Sequence, residues 1–93
     1  MATSPSRAPD IAHDAQRQRF HCTVDGHLCV ADYRLRGTTM QMVHTEVPPA
    51  LQGRGIAAAL VDAALAHARA QGLTIEPLCS YVRHYLQRHP QTP

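Results

Sequence analysis

Gln52-Gly53-Arg54-Gly55-Ile56-Ala57 stands between an extended run, Met40 to Val47, and a strongly helical one, Ile56 to Ala70. Two glycines let the backbone curl tightly and let a ligand come close to the main chain. The helix that follows opens with unpaired amides, backed by the positive end of its dipole. Such a turn is a ready site for a phosphate or pyrophosphate, although the same glycines would also serve an ordinary helix start. A Walker A loop is excluded, because it needs a lysine after its last glycine and the chain has none. Gly53, Gly55 and Ala58 do fit Gly-x-Gly-x-x-Ala, with Glu76 near the expected acidic position. That dinucleotide fingerprint opens almost directly from its strand, whereas Pro48-Pro49-Ala50-Leu51-Gln52 intervene here. It also needs more βα units than the residues beyond Glu76 supply. Cys79 is a second reactive candidate, because it directly precedes a helix start, a position that lowers a thiol pKa.

The elements that must hold these residues can be read from pattern. Met1 to Gln16 is rich in Ser, Pro, Ala and Asp without a sustained period and is expected to be a disordered tail, leaving 17–93 as one domain. A strand from Arg19 to Val24 meets another from His27 to Leu35 through Asp25-Gly26. That dipeptide is a two-residue hairpin signal, since both turn positions need positive φ. The turn sets Val24 opposite His27 and Cys22 opposite Cys29. Phe20, Cys22, Val24, Cys29, Ala31, Tyr33 and Leu35 then share an apolar face, with Asp32 and Arg34 on the other. A third strand, Thr39 to Val47, ends at Pro48-Pro49. The alanine-rich helix from Gly55 to Gln71 carries Ile56, Ala57, Leu60, Val61, Ala64, Leu65 and Ala68 on one stripe and stops at Gly72. A short strand, Leu73 to Leu78, and a helix capped by Ser80 and ended by Pro90 complete the order βββαβα. The fold class expected is α/β, a mixed sheet with a parallel final pair and two flanking helices.

Composition narrows the function classes. Ninety-three residues make one small domain, able to bury about 60–65% of its extended-chain surface. Nine basic residues, all arginine, against seven acids give a net charge of +2, too little to argue for nucleic acid. A few arginines around a pocket would still favour a polyanionic small molecule. No apolar run approaches membrane-spanning length and no signal-peptide core is present, so a soluble cytoplasmic protein without a membrane partner is expected. Three cysteines make a disulfide framework unexpected. Zinc on the hairpin is also disfavoured: His21 and Cys22 are adjacent and point to opposite faces, so at most three of His21, Cys22, His27 and Cys29 could converge. His84 and His89 miss the spacing of one helical face and are read as structural or surface residues.

Val47-Pro48-Pro49-Ala50-Leu51-Gln52-Gly53-Arg54-Gly55-Ile56-Ala57, a strand ending in Val, a Pro-containing turn and then Gln-x-x-Gly at a helix start, resembles the acyl-coenzyme A signature of the GCN5-related N-acetyltransferases (GNATs). His44-Thr45-Glu46-Val47-Pro48, Pro77-Leu78-Cys79 and His89-Pro90 are similar to blocks of the compact, YjdJ-type branch, so the resemblance spans roughly residues 18 to 91. It implies a minimal GNAT-like fold without the usual first helices, with acetyl-CoA as co-substrate and no metal. It further implies that the pantetheine arm runs along Thr45, Glu46 and Val47. The pyrophosphate would then meet the backbone from Gln52 and Gly53 to Gly55, Ile56 and Ala57, with Arg54 adding charge.

Transfer to an amine needs a proton acceptor for the nucleophile and a proton donor for the leaving thiolate. His44 and Glu46 alternate on one strand face and are candidates for the first role, in which each has an ordinary structural reading as well. The resemblance puts Gln41 where histone-acetylating members carry a glutamate base. The resemblance makes Tyr85, four residues before His89-Pro90 in the last helix, the candidate acid; Tyr81, one turn earlier, is the alternative. Cys79 would be an acyl relay or an inert thiol. The expected activity is direct acetyl transfer to an amine of unknown identity. A non-catalytic acyl-CoA-binding module and a scaffold for protein interaction are the rivals.

Overall fold

The computed structural model describes residues 9–89. Strands β1 (Ala12–Asp14), β2 (Arg19–Val24), β3 (His27–Arg36) and β4 (Thr39–Glu46) form an antiparallel meander. A short 3-10 turn, Pro49–Leu51, leads to helix α1 (Ile56–Gln71), strand β5 (Thr74–Pro77) and helix α2 (Ser80–Arg88). Sheet order is β1-β2-β3-β4-β5, with β5 parallel to β4, as a strand reached through a helix must be. This is the α/β, mixed-sheet architecture expected of a minimal GNAT-like fold.

The β2–β3 hairpin turns at Asp25 (φ 50°) and Gly26 (φ 77°), both left-handed as Asp-Gly demands. Its register pairs Val24 with His27 and Cys22 with Cys29. Phe20, Cys22, Cys29, Ala31, Tyr33, Met40 and Met42 make the buried face of the sheet. Leu60, Val61, Ala64, Leu65 and Ala68 of α1 pack on it, together with Val82 and Tyr85 of α2. Both helices therefore cover the same face, and the opposite face stays open. Leu35, expected on the apolar face, is 44% exposed near the β3–β4 turn, outside the reach of the helices.

Three expectations need correction. Residues 12–14, placed in a disordered tail, form β1 and pair with Arg19–His21 of β2. Three interactions order this segment: Ile11 packs against the core, His13 stacks on Phe20, and Asp14 accepts bonds from the Arg17 amide and guanidinium. Residues 1–8 of that tail, and Pro90 at the end of α2, lie outside the described residues. Second, the N-cap of α2 is Cys79, and Ser80 is already helical. The third correction bears on the site. A bulge shifts the β3–β4 register between Tyr33↔Met42 and Asp32↔His44, leaving Val43 as the extra residue. Each extra residue flips every following side chain to the other face. Thr45 thus joins Met40 and Met42 on the helix side, and His44 and Glu46 go to the open side.

Candidate functional site

The parallel β4–β5 ladder ends at Met42↔Pro77. Just beyond it the amides of Leu78 and Cys79 both donate to the Met42 carbonyl, at 3.0 and 2.8 Å. With two donors on one carbonyl and a proline at the strand end, β5 leaves the sheet while β4 continues to Glu46. Arg83 fixes the departing chain, its Nη1 donating to the carbonyls of Pro77 (3.2 Å) and Leu78 (2.8 Å). The bulge at Val43 and this divergence together open a wedge in the sheet.

A cavity of about 470 Å³ lies at the helix side of that wedge. Thr45 and Val47 line one wall, Leu51, Gln52, Gly53 and Gly55 the turn, Ile56 to Ala58 the opposite wall, and Tyr81 closes it from α2. Gln52 braces the turn, its side-chain amide donating to the Val47 carbonyl at 3.0 Å. Gly53 and Gly55 have φ of 84° and 81°, and Gly55 is the N-cap of α1. A Cβ at either glycine would meet nothing within 4 Å, so backbone handedness, not space, requires glycine there. No side chain caps α1 and no acid sits in its first turn. The first helical bond runs from the Ala59 amide to Gly55, which leaves the amides of Ile56, Ala57 and Ala58 as donors. One wall of the cavity is therefore an uncapped helix amino end, suited to an anion.

The chain matches the family of GCN5-related N-acetyl-transferases over residues 19–93. It is 34% identical over 89 residues to Protein NATD1 of Xenopus tropicalis, covering 92% of this chain and 82% of the relative. Protein NATD1 of Mus musculus is 35% identical over 83 residues, 86% of this chain and 76% of that protein. The Homo sapiens protein of the same name is 34% identical over 83 residues, 86% and 74% of the two chains. This chain belongs to the GCN5-related N-acetyltransferase family. The family's usual co-substrate is acetyl-CoA. Among the described residues no group of three His, Cys, Asp or Glu side chains could hold a metal, and no helix is long and apolar enough to cross a membrane.

Within this GNAT domain, Thr45, Val47, Gln52, Gly53, Gly55, Ile56 and Ala57 all line the cavity. Arg54 does not; its Nη1 is 3.0 Å from Asp25 at the hairpin tip. His44 and Glu46 also lie outside it, bonded to each other at 3.1 Å on the open face of the sheet. Gln41 donates to Glu76 at 2.8 Å on that same face.

Cys79 sits at the wedge, its Sγ 3.7 Å from Thr45 Oγ1. Burial pushes this thiol up, but the Val82 amide, the Thr45 hydroxyl and the Tyr81 amide together hold it below its ordinary value. Cys22, buried beside Cys29, is instead pushed up to about 11, first by burial and then by its neighbour.

The two tyrosines exchange places relative to expectation. Tyr85 is buried, donates to Asp62 of α1 and stacks on His89 at 4.4 Å. Burial and then that carboxylate push its pKa up to about 12. Tyr81 is the tyrosine on the cavity wall. The helix pattern contained this answer: Val82, Tyr85 and Leu86 follow i, i+3, i+4 spacing, so Tyr85 belongs to the buried stripe.

Proposed function

We propose that this protein binds acetyl-CoA in the cavity and catalyses direct transfer of the acetyl group to an amine. The reading is carried by one observation: the uncapped amides of α1 and the diverging edge of β4 open onto the same space. The amides of Ile56 to Ala58 would hold the pyrophosphate, and the edge of β4 that β5 leaves would pair with the pantetheine amides, displacing the Gln52 side chain from the Val47 carbonyl. In the transfer, the amine nitrogen forms a C–N bond to the thioester carbonyl carbon, the C–S bond breaks, and the nitrogen gives up a proton. Tyr81, whose pKa burial and Asp62 raise, keeps its proton at neutral pH and can donate it to the leaving sulfur. The His44–Glu46 pair would accept the amine's proton through water from the open face. Cys79 stays a free thiol at the wedge, with no acyl-enzyme required. The free Cys22, Cys29 and Cys79 fit a reducing compartment, and we propose a cytoplasmic location.

A non-catalytic CoA-binding module is the second reading, favoured by the exclusion of His44 and Glu46 from the cavity and by Gln41 being bonded to Glu76. Two measurements test these readings, the second of which separates them. CoA should raise the melting temperature, because a ligand that binds only the folded state stabilises it by mass action. Thiol release from acetyl-CoA with a panel of amines should then follow for the enzyme and be absent for the binder. No thermal shift at millimolar CoA would overturn both.

A further inference from the structure

The cavity reading leaves Arg54 unused. It sits between two left-handed glycines on the cavity rim, where its charge would suit a pyrophosphate, yet it lies on Asp25. The partners are 29 residues apart in sequence, so the β2–β3 hairpin tip and the rim turn are brought together by the fold. The hairpin does not need this carboxylate for its turn, because asparagine tolerates the same left-handed φ. Both side chains are well exposed, 51% for Arg54 and 67% for Asp25, so the pair is screened by water and exchanges easily. A diphosphate offers an arginine two parallel acceptors and more charge than a single carboxylate oxygen at 3.0 Å.

We propose that Asp25 is a resident counter-anion that competes with the cofactor's pyrophosphate for Arg54, so that the hairpin tip sets how tightly the nucleotide end is held. This rests on the cofactor reading given above. In the free protein Asp25 neutralises the rim. When the pyrophosphate takes Arg54, Asp25 is left unpaired beside an anion, which weakens binding. Asp25 is a positioning residue: it acts only through Arg54 and only on the anionic part of the ligand.

The test is isothermal titration of CoA, and of pantetheine as the arm without pyrophosphate, into wild type, Asp25→Asn, Arg54→Gln and the double variant at low ionic strength. Asp25→Asn should tighten CoA binding roughly two- to five-fold, the range that an exposed ion pair supports. It should leave pantetheine binding unchanged. Arg54→Gln should weaken CoA, and adding Asp25→Asn to it should change nothing further. Unchanged or weaker CoA binding by Asp25→Asn would overturn the proposal, as would equal tightening of pantetheine or an effect that persists without Arg54. Wild type that binds CoA while Asp25→Asn gains nothing sinks this proposal alone; wild type that binds no CoA sinks the cofactor reading with it.

Discussion

Tyr81 and Tyr85 are separated by one helical turn and have opposite environments. Tyr85 is locked into the α1–α2 interface by Asp62, and Tyr81 faces the cavity. General acid catalysis is typically worth about 10²–10⁴-fold. Tyr81→Phe should therefore lower kcat about 10²-fold with little change in CoA affinity. Tyr85→Phe should leave kcat near wild type and lower stability by about 1.5–3 kcal/mol, through loss of a hydrogen bond to a carboxylate. Steady-state kinetics and denaturant melts on both variants check this. The reverse ranking would return the acid role to Tyr85, and two silent variants would leave protonation to water. A parallel test addresses Cys79. If transfer is direct, Cys79→Ala should retain appreciable turnover, and incubation with acetyl-CoA should leave no thioester adduct by intact mass. An adduct on wild type together with an inactive variant would establish a covalent relay.

At the scale of elements, the site depends on one residue of excess in β4 and one handed turn before α1. Gly55 at φ 81° is the helix N-cap, and the left-handed region costs an L-residue about 1–2 kcal/mol. Gly55→Ala should lose about that much stability, and Gly55→Val more, since a branched residue is least tolerant of that backbone. Both should weaken CoA binding further, because relief of the strain would rotate the amides of Ile56 and Ala57 away from the ligand. Thermal shift with and without CoA separates the two effects. An equal CoA-induced shift in wild type and Gly55→Val would move the ligand elsewhere.

The same scale shows what was legible in the chain. Asp25-Gly26 announces its hairpin and register, the proline pair ends β4, and Gly72 stops α1, because each imposes a local backbone requirement. The bulge at Val43 has no such marker. It arises where β4 must pair with β3 on one side and leave β5 on the other, and it alone turns His44 and Glu46 from the cavity to the open face. β1 was illegible for a related reason: three residues are too few to show a period, and their order comes from rings on other elements.

For the whole molecule, those rings make a second aromatic focus away from the wedge, and it has a pH signature. His13 of β1 stacks on Phe20 at 4.2 Å, meets His67 of α1 edge-on at 4.4 Å and bonds the Tyr33 hydroxyl at 2.5 Å. It thereby joins the edge strand to β2, β3 and the helix. Burial and then the His67 imidazole lower the pKa of His13, and Asp14 offsets part of this. A histidine lowered in the folded state binds its proton more readily when unfolded, so stability rises with pH across the interval between the two pKa values. The contribution is complete above the unfolded value of about 6.5 and is lost as pH falls through the folded one. Melting temperature should therefore decline on acidification from pH 7 to pH 5. His13→Phe keeps a ring on Phe20 without a titrating group, so its decline over the same range should be shallower. Thermal melts at half-unit pH steps compare the two proteins. Parallel curves would show that His13 does not couple the edge strand to protonation.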